Sequence, residues 1–459
     1  MNRPSALILA AGKGTRMKSR RPKVMQTLLG EPMLYYVLSA LRDAGVSDVS
    51  VVVGYEGECV ASWLQKFWPS ASVVWQKEQL GTGHAVMMAS DWLSSRGDVV
   101  VVNGDMPMVT GDDFVRFFDG SDADWSFVTT QLADPTGYGR VIRSGSSVKI
   151  VEQKDASPQE LACSEINVGI YRASGSDFLA GLASLRPNNS QKEYYIVDLI
   201  SWALSQGRSV QPVLLPPENL CGVNDPMELA RLNGLMRDRV NRRWMAQGAK
   251  LAEPLTTWIS PASSFEGEVT LAPNVQLWGE TELGDGCELG TGTVLTNCRL
   301  GKRVICRPYV VAQDSQAADD AVLGPFCFLR EGSQLAQKAL VGRFVELKKT
   351  CVGEGSKVPH LTYLGDTTVG SGSNIGAATV TCNYDGAKKH PTVIGNRCFI
   401  GSDTMLVAPV TVEDGATTAA GSVITSDVPA DSLGIGRSRQ VNIKGWRKQQ
   451  KPHSDERKA

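Results

Sequence analysis

Residues 271–295 read LAPNVQLWGETELGDGCELGTGTVL, which places an aliphatic side chain at every sixth position: Leu271, Leu277, Leu283, Leu289 and Leu295. The stride is neither helical nor that of a simple strand. It returns at Leu323, Leu329, Leu335, Val341 and Leu347, and again at Ile394, Ile400, Leu406 and Val412. A fixed period of six predicts a parallel β-helix in which each hexad forms one flat side and its aliphatic residue fills the bore. Coiled-coil leucines need a stride of seven and few glycines. Here glycines punctuate the series at Gly284, Gly290, Gly324, Gly342, Gly370, Gly376, Gly395 and Gly401. They are expected to leave room at tight corners, and glycine tolerates positive φ.

The repeat claims only the second half of a 459-residue chain, so at least one further domain is expected. Upstream, short β-branched runs alternate with helical stretches: Val49–Val53, Val60–Trp68, Val73–Trp75, a helix over Gly83–Leu93, then Val99–Val102. That alternation predicts a doubly wound, Rossmann-like α/β sheet with its ligand site at the carboxyl ends of the strands. Asn224 and Asp225 precede Pro226, a helix-start signal. An apolar face follows through Leu229, Leu232, Met236 and Val240 before Gly248. The expected organisation is an α/β domain over 1–225, a linker helix over 226–248, a left-handed hexapeptide-repeat β-helix over 249–446 and a charged, disordered tail over 447–459.

Forty-eight acidic residues balance 47 basic ones, which argues against nucleic-acid or membrane-surface binding by bulk charge. The first apolar run ends at Gly12, Lys13 and Gly14, too short for export or spanning. A cytoplasmic protein without membrane or nucleic-acid partners is expected. Ten cysteines lack any Cys-x-x-Cys pair and the four histidines are dispersed. Neither zinc nor a disulfide framework is expected, and most thiols should be buried fillers.

The strand Ala6–Leu9 leads into Ala10-Ala11-Gly12-Lys13-Gly14-Thr15-Arg16-Met17, with Pro22-Lys23 beyond. Small residues let backbone amides approach phosphate oxygens, and Arg16 and Lys23 add charge; the alternative is solvated surface charge. Met17 stands where a dinucleotide fingerprint puts its third glycine, and no Gly-Lys-Ser/Thr P-loop is present. The loop resembles that of sugar-nucleotide pyrophosphorylases. Gln76 through Gly81-Thr82-Gly83, Asn103-Gly104-Asp105, Gly137-Tyr138-Gly139-Arg140, Glu152, Asn167 and Gly222-Val223-Asn224 follow in order. Read from its residues alone, Asp105 is either a ligand-facing carboxylate or a turn cap.

With the repeats, the chain resembles, over nearly its whole length, the bacterial bifunctional uridyltransferases and acetyltransferases that make UDP-N-acetylglucosamine. The resemblance implies that glucosamine 1-phosphate is acetylated by acetyl-CoA and then coupled to UTP with release of pyrophosphate. It implies Mg²⁺ on Asp105 and Asn224, and catalytic roles for Arg16 and Lys23. UTP and UDP-N-acetylglucosamine would meet Leu9, Ala10, Ala11, Gly12, Lys23, Gln76, Gly81, Thr82, Asn103, Gly139, Glu152, Asn167 and Asn224. Asn103 departs from the aromatic residue frequent in this family.

In the repeat half, the rhythm breaks between Gly353 and Leu364 and between Thr381 and Thr392, which predicts two excursions from the coils. Around them cluster polar residues unusual in a solenoid. The resemblance makes His360 the general base, since imidazoles exchange protons near neutral pH; a structural or exposed histidine is the plainer reading. It assigns Arg330, Lys348, Tyr363, Asn374 and Lys389 to the sugar phosphate, with Glu346 in support. Ala377, Asn383, Tyr384, Ser402, Ala420 and Arg437 would line the acetyl-CoA groove, in a homotrimer. Pro359 and Ala378 depart from the commonest family pattern. Two other readings remain open from sequence: a pyrophosphorylase of another sugar whose β-helix serves assembly, and a non-catalytic subunit on the same folds.

Overall fold

A computed structural model describes residues 3–145 and 147–449. Positions 450–459, most of the charged tail, lie outside the described residues. The chain forms two compact units that divide between Val240 and Asn241.

In the first unit a seven-strand path runs Val210–Leu214, Trp125–Gln131, Glu165–Ser174, Asp98–Asn103, Ser5–Ala10, Val49–Val53, Ser72–Trp75. The central strands are parallel, but Glu165–Ser174 runs antiparallel to both neighbours, so the doubly wound sheet is mixed. Val51, Val53, Val100 and Val102 face one apolar layer, whereas Leu7, Val52, Val99 and Val101 face the other. Alternate residues of fully buried strands therefore feed two cores, the reason these strands read as continuous apolar runs. The helix expected over Gly83–Leu93 is two, Thr82–Met88 and Ser90–Leu93. Ser90 breaks it by donating its hydroxyl to the Met87 carbonyl at 2.6 Å.

The helix Pro226–Ala246 spans the division between the units. Asp225 caps it, accepting from the Met227 and Glu228 amides at 2.8 and 2.9 Å, and Asn224 is left to other work. Leu232, Met236, Val240 and Trp244 are its buried face, with Leu229 half-buried. No helix among the described residues is long and apolar enough to cross a membrane.

The second unit is a left-handed parallel β-helix. Most rungs recur every 18 or 17 residues, as from Thr270 to Glu288 and from Glu282 to Arg299. Each buried bore leucine contributes about 2 kcal/mol. Where the leucine series lapses after Leu295, the bore is filled by Leu300, Cys306, Ala312 and Ala317. Five cysteines are buried (Cys287, Cys298, Cys306, Cys327, Cys398), half of the ten and fewer than expected; Cys59 and Cys351 are exposed.

One expectation is refined and another is corrected. Of the eight glycines named above, only Gly324 has positive φ, at 85°. The others are required by close approach of the next coil: a Cβ on Gly342 would lie 2.0 Å from the Pro359 carbonyl oxygen. The first rhythm break is also no excursion. Val352, Val358 and Leu364 continue the buried column, and Lys357–Gly365 is an unbroken strand paired with Leu340–Lys348. The column merely steps by five residues at shortened corners, from Leu347 to Val352 and from Leu364 to Val369. The second break is real: the rung after Thr368 is Val393, a 25-residue coil, and residues 383–390 leave it as a hairpin bridged between Tyr384 and Lys389.

Candidate active sites

At the carboxyl ends of Ser5–Ala10 and Asp98–Asn103, two adjoining cavities share Thr82, Asn103, Asp105 and Asn224. The larger, about 500 Å³, is lined by Leu9 to Arg16, Lys23, Gln76 and Gly81. The smaller holds Gly139, Glu152 and Asn167. Every nucleotide-site residue expected from sequence thus faces one or the other.

The glycine loop is shaped by contact as well as by backbone. Gly14 has φ 60°, and a Cβ there would lie 2.7 Å from Cβ of Lys23. Lys23 then ion-pairs with Asp105, while an Arg16 guanidinium nitrogen donates to Asn224 Oδ1 at 2.8 Å. The Val223 amide donates to the Asp105 carbonyl at 3.1 Å, tying the two oxygen-bearing residues together. Asp105 and Asn224 would offer oxygen to a metal, and Asp105 Oδ2 and Asn224 Oδ1 each already face a cation. No group of three or more His, Cys, Asp or Glu suited to a metal occurs among the described residues. A two-residue oxygen set fits a hard divalent ion that keeps several waters.

Gln76 is buried, and its amide nitrogen donates to the Gly81 carbonyl at 3.2 Å and lies 3.0 Å from His84 Nδ1. Those contacts fix the orientation of its carboxamide. Gly81, at φ 107°, abuts the Tyr194 backbone so closely that a Cβ would sit 2.5 Å from its carbonyl oxygen. Thr82 is fixed by the Ile196 amide at 3.1 Å. Asn103 lies over Gly169, its Nδ2 only 2.3 Å from where a Cβ would be.

In the smaller cavity burial, then Asp155 and Asp198, push the Glu152 carboxyl above the ordinary glutamate range. Asn167 donates to the Tyr171 hydroxyl at 2.6 Å and accepts from the Gly169 amide at 3.3 Å. Tyr171 and Tyr138 were not singled out from sequence. Tyr138 accepts from the Gly222 amide at 3.3 Å, and burial pushes its hydroxyl up to about 12. The quoted Gly137-Tyr138-Gly139-Arg140 motif contained that signal.

On the β-helix, Arg330 donates to Glu346 at 3.1 Å, and Glu346 is in register with Tyr363. The Lys348 side chain, 12% exposed, lies 4.0 Å from Glu331. Contact with Lys389, which arrives from the hairpin, is the main cause that pushes Lys348 below the ordinary lysine range; partial covering and Arg330 add to it. Three cations therefore converge. Asn374 is not on that rung: it pairs with Lys357 and Phe399. His360 is exposed, in register with Arg343, three residues before Tyr363. Ala377, Ser402 and Ala420 stack in successive coils through the Asp403 amide on the Ala377 carbonyl (2.7 Å) and the Gly421 amide on the Ser402 carbonyl (2.8 Å). Arg437 reaches within 4.0 Å of a Cβ position on Gly421. Asn383 is buried and donates to Asp366 at 2.6 Å; Tyr384 is exposed beside it.

The MobA-like NTP transferase domain family matches residues 6–197, and the bacterial transferase hexapeptide family matches residues 391–426. Proteins named bifunctional protein GlmU match end to end. That of Pelobacter propionicus is 42% identical over 454 residues, covering 97% of this chain and 98% of its own. That of Heliobacterium modesticaldum is 43% identical, covering 96% of each. That of Streptomyces avermitilis is 42% identical, covering 100% of this chain and 97% of its own.

Proposed function

The chain belongs to the bifunctional GlmU family, a nucleotidyltransferase and a hexapeptide acetyltransferase in one polypeptide that makes UDP-N-acetylglucosamine, and from that premise we propose how its residues divide the two reactions. The observation that carries the assignment is the meeting of the glycine-loop cations with the oxygens of Asp105 and Asn224 at the carboxyl ends of the strands.

In uridyl transfer an oxygen of the sugar 1-phosphate attacks the α-phosphorus of UTP and pyrophosphate leaves. Two anions must approach, so the protein's share is neutralisation and alignment. Arg16, Lys23 and the backbone amides of residues 10–14 hold the phosphates. Gln76, Gly81 and Thr82 take the uracil nucleoside; Asn103, Gly139, Glu152 and Asn167 take the amino sugar. Asp105 and Asn224 would hold Mg²⁺, which when bound supplies further neutralisation of phosphate charge.

In acetyl transfer Arg330, Lys348 and Lys389 grip the phosphate of glucosamine 1-phosphate, while Tyr363 and Asn374 align the ring and Glu346 steadies Arg330. His360 takes a proton from the sugar ammonium, the freed nitrogen attacks the thioester carbonyl, and coenzyme A leaves as the thiol. The stacked column of Ala377, Ser402 and Ala420 leaves space for the pantetheine arm, flanked by Asn383, Tyr384 and Arg437.

The assembly we propose is a homotrimer in the cytoplasm. Its support is a corner ladder of Tyr309, Phe326, Phe344 and Leu361, each 50–60% exposed. The three aromatic rings stack at 5.1 and 5.6 Å, and all four residues have left-handed φ of 42–61°. Holding bulky apolar residues there costs roughly 1–2 kcal/mol each, whereas the other left-handed corners of the β-helix carry Asn, Asp, Gly, Ala378 or a Lys or Arg (Arg303, Lys338, Lys349, Arg397). Leu361 adjoins His360, so a second copy on this ladder would close the acetyl site and present its own Asn374. The test of both activities is to supply purified protein with glucosamine 1-phosphate, acetyl-CoA, UTP and Mg²⁺ and follow thiol and pyrophosphate separately. Pyrophosphate release without thiol release would leave the β-helix an assembly element only.

A further inference from the structure

The hairpin over 383–390 is the one place where the 17- or 18-residue coil expands to 25 among the described residues. Its tip is organised around a single carboxylate. Asp385 Oδ1 accepts from the Ala387 and Lys388 amides at 2.8 and 2.6 Å. Its Oδ2 meets His390 Nε2 at 2.6 Å. These contacts, the Lys388 amide first, hold the Asp385 carboxyl far below the ordinary aspartate range. The Tyr384 hydroxyl closes the same turn on the Gly386 carbonyl at 2.6 Å, and the His390 amide donates to the Asn383 carbonyl at 2.8 Å. One arm thus carries Asn383 and Tyr384, and the other carries Lys389.

We infer that Asp385 is a positioning residue for both substrates of the acetyl site: by pinning the two arms together it sets Lys389 against the sugar phosphate and Tyr384 against acetyl-CoA. The inference rests on the roles proposed above for those residues. It requires no contact between Asp385 and either substrate. An eight-residue excursion has few apolar contacts to hold its shape, so the geometry of the two arms depends on the polar contacts at the tip. Turns of this kind are fixed by side-chain oxygens accepting from backbone amides two and three residues on. An ionised acceptor makes such bonds about twice as strong as a neutral one. His390 supplies the second strut, tying the returning arm back to the same carboxylate.

The experiment is steady-state acetyl transfer by the full-length enzyme, with thiol release followed while glucosamine 1-phosphate and acetyl-CoA are varied in turn. Asp385→Ala should lower kcat/KM by about 10²-fold, the usual cost of an ångström-scale misplacement. The loss should lie in the KM of both substrates. Asp385→Asn, which keeps an acceptor for the two amides, should recover most of it. His390→Ala, which removes one strut, should raise both KM values by a smaller factor. The melting temperature should stay at the wild-type value, because the hairpin lies outside the bore. Unchanged KM values in Asp385→Ala, or an equal fall in kcat with no change in KM, would overturn the inference; so would no rescue by Asp385→Asn. Lys389→Ala separates the layers: if its KM for glucosamine 1-phosphate were also unchanged, the phosphate-site reading itself would fail.

Discussion

Lys348, at the end of the strand Leu340–Lys348, and Lys389, on the returning arm of the hairpin, hold two side-chain ammonium groups against each other with Arg330 nearby. Like charges brought together at a surface call for an anion. Saturating inorganic phosphate should therefore raise the melting temperature of the wild-type enzyme by a few degrees and do nothing for Lys389→Ala. A wild-type melting temperature indifferent to phosphate would contradict the site.

Glu152 supplies a pH-dependent prediction. Its folded carboxyl titrates above the unfolded one because of burial and of Asp155 and Asp198. The folded state thus binds more protons between the two values, and stability falls as pH rises through that window. Glu152→Gln should raise the melting temperature at pH 7.5, with the gain gone by about pH 3, well below the ordinary glutamate value of about 4.3, where the wild-type carboxyl is protonated in either state. The same variant should raise KM for N-acetylglucosamine 1-phosphate and leave KM for UTP nearly unchanged. A variant less stable than wild type at pH 7.5 would show that the carboxylate is well solvated.

The ladder carries the assembly prediction. Phe344→Asp and Leu361→Asp each place a charge on an exposed apolar corner outside the bore, so the β-helix should still fold. By light scattering these variants should be monomeric, and acetyl transfer should fall by at least about 10²-fold through loss of alignment. Uridyl transfer should persist. Monomers with full acetyl transfer would show that one chain holds a complete site.

The bore was legible because its period is repeated and most of its residues are aliphatic; it blurred where Cys306, Ala312 and Ala317 take the inward position. Val358 falls outside the count of six for a related reason. Shortened corners make the column step by five at Val352 and Val369, so a strict count of six loses its place and turns a continuous strand into an apparent loop. The glycines were rightly placed at crowded positions, but crowding by the next coil and positive φ cannot be told apart in one sequence. Residues whose chemistry is local, such as Lys23 and Asp105, followed from their motifs. Tyr171 behind Asn167 and Asp385 at the hairpin tip did not, because their importance lies in what they hydrogen-bond after folding.

The most direct measurement is a crossed pair of variants, Asp105→Ala and His360→Ala, each assayed for pyrophosphate release and for thiol release at pH 7. Asp105→Ala should lose uridyl transfer by at least about 10²-fold and keep acetyl transfer. His360→Ala should keep uridyl transfer and lose acetyl transfer by roughly 10²- to 10⁴-fold, the worth of a positioned general base. Part of that second loss should return as the pH is raised and more of the sugar amine is free. Loss of both activities in either folded variant, or near wild-type acetyl transfer by His360→Ala at pH 7, would contradict the account of two separate sites with these residues at their centres.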